Sequence, residues 1–166
     1  VDRLVVLVQD LLALAAADER AMHLTRTDVD LDDLVLAEAG ALRARGMPLT
    51  VAVEPVRVVG DEHKLGSVVR NLIENAGRHM VTGARVRVGR RGSEAVLVVD
   101  NDGPPVPEDQ RQRIFERFVR LDDSRTRGTG GTGLGLAIVA EVVAAHGGTV
   151  SAAEAPDGWC RFEVTL

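Results

Sequence analysis

Three stretches of this sequence carry residue types that could do chemistry at their spacing. In the first, Asn71, Asn75 and Arg78 fall at i, i+4 and i+7 of a helical pattern with His79 beside them, so the side chains emerge along one line. Asn is a mediocre helix former. Its neutral carbonyl oxygen suits a hard cation such as Mg²⁺, whose remaining ligands would be waters and phosphate oxygens. Arg78 could then meet the phosphates themselves. A solvated polar helix face is the competing reading of the same residues. In the second stretch, Gly128-Thr-Gly130-Gly131-Thr132-Gly133-Leu134-Gly135, five glycines in eight residues run into a helix. Such glycines allow close backbone approach, and a helix start offers N–H groups to an anion, which together make a phosphate cradle. A flexible glycine hinge is the alternative. In the third, Val98-Val99-Asp100-Asn101-Asp102-Gly103-Pro104-Pro105, a strand ends in carboxylates, an amide and a tight turn. An Asp or Asn there can accept a hydrogen bond from the exocyclic amine of a purine, although an Asx-type turn needs the same residues.

Two familiar phosphate motifs are excluded. Residues 128–133 spell G-x-G-x-x-G, but the preceding Asp122–Arg127 is polar and turn-like where the dinucleotide fingerprint needs a strand. A G-x-x-x-x-G-K-[ST] loop is impossible because the single lysine is Lys64.

The elements that must position these residues are legible from periodicity. Leu4, Val8, Leu11, Leu12 and Ala15 predict an amphipathic helix over 3–18. Asp30 and Asp61 are cap residues for helices predicted over 31–45 and 62–79. The second of these has the apolar stripe Leu65, Val68, Val69, Leu72, Ile73 and Ala76. Strands are expected at 50–53, 56–59, 84–88 and 95–99, the last two joined by a turn at 89–93. Residues 101–132 read as a long polar loop with a helical island at 108–119, and a loop of that length is characteristic of a functional lid. An apolar helix over 133–146 and strands at 149–154 and 160–165 close the chain. This order predicts an α+β fold, a two-layer α/β sandwich with helices on one face of a mixed, mostly antiparallel sheet.

The chain has 166 residues, 45% hydrophobic and 27% charged, the balance of one globular domain with an appendage. Its net charge of −5 argues against a nucleic-acid coat protein, and its single cysteine, Cys160, excludes an internal disulfide. The apolar run from Leu4 is broken by Gln9 and Asp10, well short of a membrane span. A cytoplasmic location is therefore expected, with the natural N-terminus lying upstream of Val1.

Taken in order, the motifs resemble the nucleotide-binding boxes of the catalytic domain of bacterial sensor histidine kinases, within the Bergerat-fold superfamily that includes type II topoisomerases and Hsp90 chaperones. The Asn box resembles Asn71-Leu-Ile-Glu-Asn75-Ala, the first Gly box Asn101-Asp102-Gly103, and the Phe box Ile114-Phe115-Glu-Arg117-Phe118. The second Gly box is similar to Gly130-Gly131-Thr132-Gly133-Leu134-Gly135-Leu.

The resemblance implies ATP with Mg²⁺. Asn75 and Asn71 would hold the metal, and Arg78 and His79 would face the phosphates. Asn101, Asp102 and Gly103 would line the base site, while Gly130, Gly131, Thr132, Gly133, Leu134 and Gly135 would wrap the triphosphate. Asn71, Arg117 and Arg120 would serve the transfer, the arginines by neutralising the γ-phosphoryl group. It implies a division into 1–28, the end of a dimerisation helix and linker, and 29–166, the catalytic domain with a lid at about 103–132. The implied partners are a dimerisation and histidine-phosphotransfer domain, a response regulator and a second copy of the parent chain, with no nucleic acid. The acceptor box is missing: His23-Leu-Thr-Arg-Thr-Asp28 mimics it only faintly, and His63 and His146 read as surface or capping residues. Where the family usually has an adenine-binding Asp this chain has Asn101, and the following Gly is Pro105; a one-residue shift would bring Asp100 or Asp102 into the role. An ATP hydrolase of the same superfamily and a nucleotide-free scaffold are the alternatives.

Overall fold

A computed structural model describes residues 24–120 and 132–166. The expected helix at 3–18, His23, Gly130 and Gly131 lie outside the described residues. In chain order the elements are β1 (Thr27–Asp30), α1 (Leu31–Arg43), β2 (Leu49–Val53), β3 (Arg57–Gly60), α2 (Glu62–His79), β4 (Ala84–Arg91), β5 (Glu94–Asn101), α3 (Gly135–Ala145), β6 (Thr149–Glu154) and β7 (Cys160–Thr165). Five strands form one sheet in the order β2-β4-β5-β7-β6, with β2 parallel to β4 and every other pairing antiparallel. The helices cover one face, so this is the mixed two-layer sandwich that the element order predicts.

Alternation along the strands builds the core. Val86, Val88, Leu97, Val99, Phe162 and Val164 face inward, and the α2 stripe from Leu65 to Ala76 packs on them with Val139 and Val143 of α3. Each such side chain contributes roughly 1.5–3 kcal/mol by leaving water, which leaves the flanks of the apolar stripe and the helix ends for ligands.

Several elements differ from their sequence expectation. β4 and β5 run to Arg91 and from Glu94, so the expected five-residue turn shrinks to Gly92 and Ser93, with Gly92 at φ +65°. The helical island at 108–119 is two separate 3-10 turns, Glu108–Gln110 and Arg113–Phe115, because no apolar stripe of helical period supports a longer helix there. Thr27–Asp30, assigned no structure from sequence, pairs antiparallel with β3 from Thr27↔Gly60 to Asp30↔Arg57. β1 therefore runs through position 28.

One polar junction ties the helix ends together. The Asp61 side chain caps α2 by accepting from Lys64 N (3.1 Å) and also accepts from Thr25 N (3.2 Å). Asp61 N in turn donates to His146 Nε2 (3.0 Å), at the C-terminal end of α3. Because a backbone N–H can only donate, Nε2 is bare and the proton sits on Nδ1, which donates to Val142 O (2.7 Å). Gly60 is needed beside it, since a Cβ there would lie 2.8 Å from His146 Cδ2. His146→Ala strands the Asp61 N–H, while the Val142 carbonyl keeps the backbone N–H of residue 146, and the change is expected to cost about 1–3 kcal/mol of stability, read from urea unfolding midpoints.

Candidate functional site

Three of the sequence motifs converge at one end of the sandwich. α2 carries Asn71 and Asn75 on the flank of its apolar stripe. Asn71 is tied back to the helix, its Nδ2 donating to Ser67 O (2.8 Å). Its Oδ1 lies against the first residue of α3, where a Cβ on Gly135 would come within 2.9 Å. Asn75 is half-buried and makes no side-chain hydrogen bond to a described residue, which leaves both its amide atoms for a ligand. At the C-terminal end of α2, Arg78 pairs with Glu74 (3.5 Å), and His79 is exposed. The His79 carbonyl sits so close to Gly103 that no Cβ fits between them. The turn after β5 is thereby pressed onto the end of α2 by a position only glycine can fill.

The three candidates for base recognition are separated by strand parity and by their partners. Asp100 faces outward, away from the helices, and is fully buried under arginines: Arg161 Nε at 2.7 Å and Nη2 at 3.1 Å, Arg87 Nη2 at 2.9 Å and Arg85 Nη2 at 3.3 Å. Asp102 accepts from the backbone of Val81 (2.7 Å), Thr82 (2.8 Å) and Gly83 (3.2 Å) and from the Thr82 hydroxyl. The Thr82 hydroxyl, with those N–H groups, holds the Asp102 carboxyl well below the usual carboxylate range. It is an anchor for the 81–83 loop, and its oxygens are committed there. Asn101 alone faces inward, fully buried, with Oδ1 accepting from Gly103 N (3.0 Å) and Nδ2 buried without an oxygen or nitrogen acceptor. Opposite it on β7 is Cys160, whose thiol burial pushes above its ordinary pKa.

The glycine box enters from the other side. Gly133 adopts φ +74°, and a Cβ there would lie 3.1 Å from the Phe118 backbone; Phe118 N donates to Gly133 O (3.0 Å). Phe118 itself has φ +66°, the one non-glycine at positive φ among the described residues. The two chain segments leading into 121–131 are thus clamped together at their bases, a contact for which the sequence offers no periodic signal. Leu134 is fully buried, so only its backbone is available to a ligand, and its amide N lies 3.4 Å from Thr132 Oγ1. No side chain caps α3, leaving its first-turn N–H groups to an anion. Arg117 pairs with Glu141 of α3 (2.9 Å), a partner sequence reading does not supply, and Arg120 is half-buried nearby in the chain.

Among the described residues no three His, Cys, Asp or Glu side chains gather as metal ligands. A cation at this site would rest on the α2 amide oxygens and on the oxygens of the molecule it accompanies. No helix of the described residues is long and apolar enough to cross a membrane.

Comparison with known proteins agrees with this geometry. Residues 60–166 match the family described as histidine kinase-, DNA gyrase B-, and HSP90-like ATPase. The chain is 39% identical over 171 residues to the probable sensor histidine kinase TcrY of Mycobacterium tuberculosis and 37% identical over 167 residues to the signal transduction histidine-protein kinase BaeS of Escherichia coli. These alignments cover 99% and 96% of this chain but 36% of each relative, so the chain spans about a third of their length. Among solved structures, full-length ShkA in complex with AMPPNP superimposes with a TM-score of 0.83 at 30% identity, covering 99% of this chain and 36% of that one. The mycobacterial sensor histidine kinase MprB superimposes with a TM-score of 0.73 at 31% identity, covering 86% of this chain and 97% of that one. With the family match over 60–166 and these relatives along nearly its whole length, this chain belongs to the histidine kinase-, DNA gyrase B- and HSP90-like ATPases, among the sensor histidine kinases.

Proposed function

We propose that this chain binds ATP with Mg²⁺ and donates the γ-phosphoryl group to a histidine on a dimerisation domain of its parent protein, for relay to an aspartate of a response regulator. In this reading residues 1–28 end the dimerisation helix and linker, 29–166 form the catalytic domain with a lid at about 103–132, and the parent works as a cytoplasmic-facing homodimer. One observation carries it above the others. Segments remote in sequence meet closely, Gly103 on the His79 carbonyl, where no side chain fits, and Gly135 on the Asn71 amide, and the polar groups gathered there fit a purine nucleotide. The buried Asn101 amide, the Asn75 amide, which bonds no described residue, and the uncapped start of α3 would supply a base contact, a cation ligand and phosphate donors.

When bound, Mg²⁺ offsets charge on the triphosphate and ATP supplies the phosphoryl group. The protein's own part is positioning and electrostatics, as is general for phosphoryl transfer. Asn75 and Asn71 hold the cation through amide oxygens, and the backbone from Thr132 to Gly135 donates N–H groups to phosphate. Arg78 and His79 add positive charge or donors at the end of α2, and Arg117 or Arg120 can do so from the Phe box once Arg117 leaves Glu141. Asn71 also explains why transfer, and not hydrolysis, is the expected outcome. An amide cannot take a proton from water, so no general base stands at this position.

Titration with Mg²⁺ and a non-hydrolysable ATP analogue is expected to stabilise the chain by about 2.7 kcal/mol at a hundredfold excess over Kd, seen as a rise in Tm. An unchanged Tm at millimolar analogue would sink the nucleotide reading and favour a scaffold. Rapid ATP hydrolysis by the isolated chain would favour the hydrolase instead.

A further inference from the structure

We infer that Asn101 relaxes purine discrimination at this site, so that 6-keto purine nucleoside triphosphates bind alongside ATP. The inference deepens the proposed nucleotide reading and rests on it. Asn101 ends β5 on its inward face and is fully buried. Its amide orientation is determined: Gly103 N can only donate, so the atom it meets at 3.0 Å is the carbonyl Oδ1, and the NH₂ group must occupy the other side. That Nδ2 is buried and meets no oxygen or nitrogen acceptor. Its one polar neighbour among the described residues is the soft sulfur of Cys160 across the β5–β7 pairing, a weak acceptor that Asn101 faces side chain to side chain and that the Val106 backbone faces as well.

A buried N–H whose one available acceptor is sulfur is uncommon in a native fold, and exchanging that contact for an oxygen shifts an equilibrium by roughly tenfold or more. A 6-amino purine presents an amine donor at C6 and an acceptor at N1. A 6-keto purine presents the reverse, an oxygen acceptor at C6 and an N–H at N1. A carboxylate at position 101 would only accept, which welcomes the amine and repels the keto oxygen. The amide does both: Oδ1 retains a second lone pair for the amine, while Nδ2 is satisfied by the keto oxygen. The S–H of Cys160 can turn to either partner. The site therefore lacks the acceptor-only group that would make it reject a keto purine, and it holds a donor that a keto oxygen satisfies better than sulfur does.

ATP and ITP differ in this C6 and N1 pattern and in nothing else, so they are the probes. Isothermal titration of each, with Mg²⁺, against the wild-type chain and Asn101→Asp reads the ratio of dissociation constants directly. The wild-type ratio of ITP to ATP is expected to lie within about tenfold, and Asn101→Asp is expected to raise it at least tenfold by tightening ATP and weakening ITP. A wild-type ratio above a hundredfold overturns the inference without need of a variant, and so does an Asn101→Asp ratio equal to wild type in protein that melts cooperatively. Binding of neither triphosphate overturns the nucleotide reading itself and the inference with it.

Discussion

Asn75→Ala lowers affinity for Mg²⁺-ATP by about ten- to a hundredfold while leaving the fold intact or slightly more stable. The binding loss follows from removing a polar ligand group that contacts charge, worth about 1.5–3 kcal/mol. The stability gain follows from the helix. Asn75 lies in the interior of α2, where Ala is the better helix former by about half a kcal/mol, and its amide contributes no hydrogen bond to a described residue. A residue that costs helix stability and has no partner is kept for something outside the fold, and that is the pattern expected of a functional site. Paired measurements decide it: calorimetric Kd with and without Mg²⁺, and the urea midpoint. Unchanged affinity, or a large stability loss, would show that Asn75 is a structural residue and that the cation is held elsewhere. Asn71→Ala should differ in kind. Asn71 bridges Ser67 O and the start of α3, so its loss is expected to reduce both stability and affinity.

How much of this was readable from sequence depends on which physical signal each part carries. α2 was legible because a cap residue at Asp61 and six apolar positions at helical spacing agree, and the helix spans Glu62–His79. The choice among Asp100, Asn101 and Asp102 was not, although half of the signal was present. Leu97 and Val99 point inward, so parity sends Asp100 outward and Asn101 inward. β5 is a central strand buried on both faces, however, and its continuous apolar run hides the alternation. The alternate arginines of β4, Arg85 and Arg87, were the better clue that a carboxylate faces them. The clamp of Phe118 on Gly133 left no trace, because positive φ at a phenylalanine is imposed by tertiary contact and has no local propensity behind it. β1 escaped for a similar reason: Thr27–Asp30 is short and half charged, and it is a strand only because β3 supplies the partner.

Asp100→Ala is expected to be the most destabilising single change at this end of the sheet, at about 2–4 kcal/mol. The carboxylate is 0% exposed and receives four hydrogen bonds from three guanidinium groups, two of the bonds from Arg161. Truncation leaves three positive charges around a cavity. Breaking a fully buried pair in this way typically costs 3–5 kcal/mol, but the arginine side chains are 23–43% exposed and can turn partly to water, which argues for a smaller figure. Arg85 has a further restraint, since it pairs with Asp157 (2.8 Å) and stacks 4.0 Å over the Trp159 ring. Arg161, which has the best geometry, should therefore carry most of the coupling to Asp100. A double-mutant cycle with Arg161→Ala is expected to give more than 1 kcal/mol, whereas the cycle with Arg87→Ala, the most exposed partner, should give less. Equal couplings would mean that the cluster acts as a diffuse charge field and that bidentate geometry is unimportant. Asp100→Asn separates charge from shape, keeping an acceptor for one guanidinium while removing the anion, so its cost should fall between zero and that of alanine. Because Asn101 follows on the same strand, the test also bears on function. If Asp100 only anchors β5 to β7, its variants will lose nucleotide affinity in proportion to the fraction unfolded and will leave the ITP-to-ATP ratio where Asn101 sets it.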